Sequence, residues 1–363
     1  MISLERKRFR ARRVLAAVAD FFTMRTVSWE NGGVKMIDQT ALPLKLSFVS
    51  YTKPEEVANA IRTMVVRGAP AIGVAAAMGL ALSARRSKAN QISEFLREME
   101  SSAALLRSTR PTAVNLFWGI DRVINKAREA ISVREAKQLV EAEVKTMEEG
   151  DVQTNRRLGK VGAELIDDGD TVLTQCNAGA LATVGYGTAL GVVRAAVEQG
   201  KLVKVLVPET RPALQGARLT AFELAQDKID CTLISDTAVG HMISIGRVDK
   251  VVVGADRITK DGYVFNKIGT YQEAVLASRH GVPFYPAAPH STFDLSRNHQ
   301  SVIIEERAAD EVVRIRGRRI APKGIQVANP AFDMTPPELV TGIISDRGLL
   351  EPPLPDSIQR LIS

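Results

Sequence analysis

The stretch Val251-Val252-Val253-Gly254-Ala255-Asp256-Arg257 is a short apolar run that ends abruptly in glycine and charge. Such a run reads as a strand buried on both faces, as in a parallel sheet. Ligands of open α/β sheets bind just beyond the carboxyl ends of the strands, so Asp256 stands where chemistry is expected. A second run, Thr171-Val172-Leu173-Thr174-Gln175-Cys176-Asn177-Ala178-Gly179, delivers Cys176 in the same way. Working outward, apolar strands at 171–175, 203–207, 231–234, 250–255 and 283–287 alternate with helical stretches at 181–199, 213–226, 236–245 and 270–280. This alternation implies right-handed βαβ crossovers and a Rossmann-like parallel sheet.

The residues after these strands are Cys176-Asn177-Ala178-Gly179, Glu209-Thr210-Arg211-Pro212, Ser235-Asp236-Thr237, Asp256-Arg257 and Ala288-Pro289-His290-Ser291-Thr292. Polar and reactive groups thus gather on one edge, with apolar strands behind them, which is the layout of an active-site crevice.

The first half has a different rhythm. Residues 24–50 alternate apolar and polar positions around Gly32-Gly33, and predict a small β-structure. Pro54-Glu55-Glu56 opens a helix, and further helical runs cover about 70–84, 88–107, 112–130 and 133–149. The expected organisation is a basic, disordered extension over 1–23, a mainly helical N-terminal domain over 24–150, and an α/β catalytic domain over 151–363, the two domains packed closely.

Net charge is +7, but residues 1–23 carry +4 of it, so the body is mildly basic and no nucleic-acid partner is expected. The uncharged stretch Gly68 to Ala84 holds Pro70, Gly73 and Gly79 and falls short of a membrane span, so no membrane association is expected either. Cys176 and Cys231 fit neither a disulfide framework nor a zinc site, and the histidines show no metal-ligand spacing; the expectation is a reducing cytoplasm and no metal.

Cys176 reads equally well as a small buried hydrophobe or as a reactive thiol at a helix N-terminus. Cys231 begins a strand away from the crevice edge and reads as structural. Asp256 suits a helix cap or ion pair, or a general acid–base. Lys267, after Asn266 in a Gly-rich loop, is either a solvated surface lysine or a phosphate ligand. Arg67-Gly68-Ala69-Pro70 places one charge just before a helix, where backbone N–H groups bind anions; the competing reading is an arginine snorkelling from a core. Arg110-Pro111 repeats the arrangement. With Arg211 and Lys267, these sites suggest an anionic ligand held between the domains. Gly185-Tyr186-Gly187-Thr188-Ala189-Leu190-Gly191 misses the dinucleotide fingerprint, because its third glycine is one position late and it lies inside the expected helix. That weakens an NAD-dependent oxidoreductase and leaves these glycines as helix-on-sheet packing.

The chain closely resembles the methylthioribose-1-phosphate isomerase family from about Met24-Arg25-Thr26-Val27 onward. Arg67-Gly68-Ala69-Pro70, Arg110-Pro111-Thr112-Ala113-Val114-Asn115, Cys176 to Ala182, Gln215-Gly216-Ala217-Arg218-Leu219-Thr220, Gly254-Ala255-Asp256-Arg257, Asn266-Lys267-Ile268-Gly269-Thr270-Tyr271 and Asn329-Pro330-Ala331-Phe332-Asp333 carry the likeness. The family shares a superfamily with ribose-1,5-bisphosphate isomerase and with regulatory subunits of a translation initiation factor's exchange complex. Those subunits lack the catalytic cysteine and aspartate. The resemblance implies a cofactor-free aldose–ketose isomerase of a sugar phosphate, expected as a homodimer. It implies Cys176 and Asp256 as catalytic residues, and Arg67, Gly68, Ala69, Arg110, Gln215, Asn266 and Lys267 as substrate ligands. The alternatives are an isomerase of a related pentose 1-phosphate and a non-catalytic regulatory subunit.

Overall fold

The structure, a computed structural model, describes residues 25–111, 113–315 and 317–362. The extension 1–23 and Thr112 lie outside the described residues. The chain divides into two compact units. The N-terminal unit takes the described residues up to Arg156 together with Ala178–Gly187; the C-terminal unit takes Arg157–Asn177 and the residues from Thr188 onward.

In the N-terminal unit, β1 (Val27–Glu30), β2 (Gly33–Ile37) and β3 (Phe48–Tyr51) form an antiparallel sheet. The β1–β2 turn is Asn31-Gly32, with φ of 53° and 73°, the doubly left-handed pair that suits a tight hairpin. Gly33 pairs with Glu30 instead, so the turn sits one residue earlier than the glycine pair suggests. Helix Pro54–Arg62 begins as expected, and the Glu56 carboxylate accepts the N–H groups of Thr52 and Lys53, each at 3.0 Å. Helix Ala69–Arg86 is apolar nearly all round because it is buried nearly all round. Among the described residues no helix is long and apolar enough to cross a membrane.

Helices Ala69–Arg86 and Val114–Arg128 touch backbone to backbone. A Cβ on Gly73 would lie 2.5 Å from the Asn115 carbonyl oxygen, and one on Gly119 would lie 2.3 Å from that of Gly73. Asn115 belongs to the first turn of its helix and Gly73 is near the start of its own. The two helix N-termini therefore converge.

The last helix of this region runs Val133–Ala163, well past the expected end near 149. Its inner face explains the length. Asp151 Oδ2 accepts the Val184 N–H at 2.7 Å and an Asn155 N–H at 2.9 Å, so this stretch of helix anchors the segment 178–187.

The C-terminal unit contains a five-stranded parallel sheet, β4 (Thr171–Leu173), β5 (Lys204–Pro208), β6 (Asp230–Ile234), β7 (Lys250–Val253) and β10 (Phe284–Pro286), in the order β10-β7-β4-β5-β6. Strands β8 (Arg257–Thr259) and β9 (Val264–Lys267) belong to a second sheet with Phe293–Asp294 and Phe332–Thr335. The architecture is α/β, with a mainly helical N-terminal unit carrying a small sheet and a Rossmann-like C-terminal unit. All five strands lie close to their expected places.

The helices depart from expectation at two points. The stretch 181–199 yields a short turn over Ala180–Ala182 and a helix only at Ala189–Glu198. The reason lies in Gly187, at φ 85°, where a Cβ would come within 2.5 Å of the Gly179 backbone. Gly185 and Gly187 thus serve a tight loop in the N-terminal unit, not a helix packed on a sheet. The stretch 213–226 opens as a π-helical turn, Gly216–Thr220, before helix Ala221–Gln226.

Burial pushes the Asp151 carboxyl up to about 7, against the pull of its bonds from Val184, Gly185 and Asn155. A folded-state pKa above the unfolded value means the native state holds a proton that the unfolded chain releases. Stability is therefore lost as pH rises from about 4 to about 7 and then levels off. Asp151→Asn keeps an acceptor for Val184 and should flatten that slope. Urea midpoints at pH 5 and pH 8 check it; the variant should gain on the parent at the higher pH.

Candidate active site

Cys176 and Asp256 leave adjacent strands. β4 and β7 pair in parallel, with Leu173 opposite Val251, and neighbouring strands lie about 4.8 Å apart. Cys176 comes three residues after β4 and Asp256 three after β7. Both emerge at the carboxyl edge of the sheet, at its centre.

Cys176 does not stand at a helix N-terminus, as the sequence suggested. Asn177, Ala178 and Gly179 and a single short turn follow it, and the next α-helix starts at Ala189. Helix-dipole activation of the thiol is thereby removed. What distinguishes Cys176 is a left-handed backbone, φ 60°, uncommon for a residue with a Cβ.

Asp256 precedes β8. Its N–H donates at 2.9 Å to the carbonyl of Phe265, the β9 residue that Arg257 faces in the antiparallel pairing of β8 with β9. Asn266 and Lys267 are thus strand residues, not loop residues as expected. The Lys267 ammonium donates to the Ala331 carbonyl at 2.9 Å and lies over the Phe332 ring, which sets its stem against apolar surface. Gln215 is buried, and its Oε1 has no hydrogen-bond partner among the described residues. Its position follows from Gly216, where a Cβ would lie 1.8 Å from the Pro208 carbonyl oxygen; only glycine lets the chain turn so tightly over the end of β5. Cys176, Gln215 and Asp256 thus follow strands of the five-stranded sheet, and Asn266 and Lys267 lie on β9 of the second sheet, all within the C-terminal unit.

The remaining candidates belong to the N-terminal unit. Gly68, at φ 95°, caps helix Ala69–Arg86. A Cβ there would lie 2.4 Å from both Cα and the carbonyl oxygen of Ala182. Arg67 is buried beside this cap, and Arg110 precedes the converging helix Val114–Arg128. Each of these helix N-termini thus has an arginine a few residues before it and its own first-turn N–H groups, an arrangement of the kind that holds anions.

Reading strand ends finds Asp236 but misses Glu273 and Asp333 beside the crevice. A cavity of about 470 Å³ beyond β4, β5 and β6 is lined by Gln175, Arg211, Asp236, Glu273 and Asp333, among others. Burial, followed by the charges of Asp333 and Asp236, holds Glu273 well above the ordinary carboxylate range. Burial likewise pushes Asp333 up to about 6. Glu273 gives no sequence signal, since it reads as an acid in the first turn of helix Thr270–His280. Among the described residues no set of three His, Cys, Asp or Glu side chains is arranged to hold a metal ion.

These features define a Rossmann-like protein with a thiol and a carboxylate on one sheet edge. Residues 65–352 match the initiation factor 2 subunit family. The methylthioribose-1-phosphate isomerase of Thermosipho africanus is 50% identical over 337 residues, 93% of this chain and 97% of that protein. The crystal structure of 5-methylthioribose 1-phosphate isomerase from Pyrococcus horikoshii is 45% identical, with a TM-score of 0.88 over 95% of this chain and 97% of that one. A structure described as translation initiation factor eIF-2B, subunit delta, from A. fulgidus is 50% identical, with a TM-score of 0.84 over 94% of this chain and 99% of that one. The chain belongs to the initiation factor 2 subunit family and, within it, to the methylthioribose-1-phosphate isomerases.

Gly68→Ala should cost about 1–3 kcal/mol or more, because it adds a backbone clash to a strained φ. A lowered urea midpoint with an unchanged slope would register it; an unchanged midpoint would mean that the Gly68–Ala182 approach relaxes freely.

Proposed function

We propose that the protein isomerises 5-methylthioribose 1-phosphate to 5-methylthioribulose 1-phosphate, a step of methionine salvage. The placement of Cys176 and Asp256 at the ends of adjacent strands, in a chain so similar to named isomerases, carries this reading.

The chemistry gives each group a task. Phosphate on the anomeric oxygen prevents spontaneous opening to an aldehyde, so the enzyme must open the ring. Asp256 protonates the ring oxygen as its bond to C1 breaks. Hydrogen then passes from C2 to C1, and the C2 hydroxyl becomes the ketone by giving up its proton, which balances the one donated to the ring oxygen. Cys176 handles or stabilises that transfer. Arg67, the backbone of Gly68 and Ala69, and Arg110 bind phosphate, in keeping with their helix-terminal setting. Gln215, Asn266 and Lys267 complete the set that holds phosphate and sugar hydroxyls. The buried, unsatisfied Oε1 of Gln215 supports its place in that set, since a buried acceptor without a partner costs about 1–3 kcal/mol.

The working form is a homodimer in the cytoplasm. Exposed Tyr271 and Val275 on helix Thr270–His280 support self-association, and two cysteines present as thiols suit a reducing compartment. Light scattering at micromolar protein should return twice the chain mass.

A proton NMR time course with purified protein and 5-methylthioribose 1-phosphate, without added cofactor and beside the 5-deoxy and 5-phospho analogues, tests the assignment. Ketose phosphate should form fastest from the methylthio compound. Cys176→Ser and Asp256→Asn should each reduce turnover by about 10²–10⁴. Faster turnover of an analogue would keep the chemistry and move the substrate. No product from any of them would sink the isomerase and favour the regulatory-subunit reading, in line with the A. fulgidus structure described as an initiation factor subunit.

A further inference from the structure

Cys176 occupies the left-handed region at φ 60°, a conformation that costs a residue with a Cβ roughly 1–2 kcal/mol. Such outliers persist only where the surroundings over-determine them. The backbone N–H and the carbonyl of Cys176, one on each side of its Cα, are both held by buried threonines. The Cys176 N–H donates to Thr210 Oγ1 at 3.0 Å. The Cys176 carbonyl accepts from Thr220 Oγ1 at 2.6 Å. Both threonines are fully buried.

Each threonine is in turn fixed from behind. The Asp236 carboxylate accepts the N–H groups of Thr210 and Arg211, both at 2.7 Å, and Thr210 is itself left-handed at φ 62°. The Thr210 hydroxyl proton is shared between the Pro208 carbonyl, at 3.2 Å, and Gln175 Oε1, at 3.3 Å. That leaves its lone pairs to Cys176. On the other side, Asn177 Nδ2 donates to Thr220 Oγ1 at 3.2 Å and to Glu223 Oε1 at 2.9 Å. Glu223 Oε2 accepts from Arg194 at 2.9 Å, and Asp227 accepts from the same guanidinium at 2.8 and 2.5 Å. Arg194 and both carboxylates are buried. A buried pair of this kind contributes little net stability against an apolar substitute, so its presence beneath the Cys176–Asn177 loop calls for another account.

We propose that Thr210 and Thr220 are positioning residues for isomerisation: their two hydroxyls clamp the Cys176 peptide in its left-handed conformation, with Asp236 behind one and the Arg194–Glu223–Asp227 ion cluster behind the other. This rests on the isomerase reading for its kinetic consequence, and not for its geometric one. Near the reacting atoms, misplacement by about 1 Å costs on the order of a hundredfold in rate.

The test uses full-length Thr210→Val, Thr210→Ser, Thr220→Val and Thr220→Ser in a Cys231→Ser background, so that Cys176 is the one thiol. Two readouts are taken: kcat and KM for 5-methylthioribose 1-phosphate, and the rate of iodoacetamide alkylation of Cys176 as a function of pH. Folded fraction is checked by circular dichroism. The valine variants, isosteric but without the hydroxyl, should lose about tenfold to a hundredfold in kcat with KM changed by less than about threefold. Their alkylation profile should shift along the pH axis, and the serine variants should restore both. Valine variants within about twofold of the parent in kcat and with an unchanged alkylation profile would overturn the proposal. So would serine variants as impaired as the valine ones, since packing alone would then explain the loss. If a valine variant does not fold, its serine partner and Asp236→Asn take its place: a parental profile in both would overturn the clamp, and a shift in Asp236→Asn alone would support it. Absence of turnover in the parent would sink the isomerase reading, and the alkylation profiles alone would then decide the clamp.

Discussion

The left-handed turn at Cys176 is the constraint on which the C-terminal unit's site depends. β4 is the middle strand of its sheet, and its chain must stop pairing, present a thiol and continue into Ala178–Gly187 within a few residues. A regular helix start would have placed the cysteine on a helix and spent its backbone N–H groups on a cap. The turn instead leaves the peptide's N–H and carbonyl to side chains that arrive from β5 and from the π-helical turn after it. Gly216 makes this possible, since its missing Cβ lets that turn close over Pro208. A single backbone conformation thus couples strand order, turn chemistry and the buried ion cluster.

The N-terminal unit reaches its precision by a different route, backbone against backbone. Gly68 on Ala182, Gly73 on Asn115, Gly119 on Gly73 and Gly187 on Gly179 are approaches that no side chain permits. They bring two helix N-termini together and lock the 178–187 segment beside one of them. Asp151 adds a polar tie to the same segment. Close helix approach leaves little room for side-chain rearrangement, which suits the anion-binding role proposed for the arginines and N–H groups there.

The sequence displayed the strands plainly, because a strand buried on both faces needs an unbroken apolar run, and Val251 to Val253 is such a run. It displayed the candidates at strand ends for the same reason: charge after an apolar run marks where the sheet stops. The helix limits were less legible. The expected helix end near 149 stops short of Asp151 and Asn155, whose partners lie in a loop some thirty residues away in the chain. Gly185 and Gly187 read as helix packing, because φ 85° at Gly187 leaves no trace in composition. The helix N-terminus, one of two readings the sequence allows for Cys176, fails because the left-handed turn depends on Thr210 and Thr220, far off in sequence and ordinary in type. Asn266 and Lys267 read as a loop because Gly262 and Gly269 flank a strand of only four residues.

The clamp also bears on the choice between an enzyme and a binding-only member of the same family. A left-handed position with no chemical duty is filled at lower cost by glycine, which carries no Cβ, or by asparagine, whose side chain hydrogen-bonds locally. Here the position holds a cysteine. The strain is met by two threonine hydroxyls, an aspartate and a buried three-residue ion cluster. Binding a sugar phosphate asks for arginines and helix N-termini, which the N-terminal unit already carries. It does not ask for a thiol in a strained turn beside a strand that ends in Asp256. On the proposed reading of Cys176 as a catalytic thiol, that cost is the cost of holding it in one orientation while bonds change.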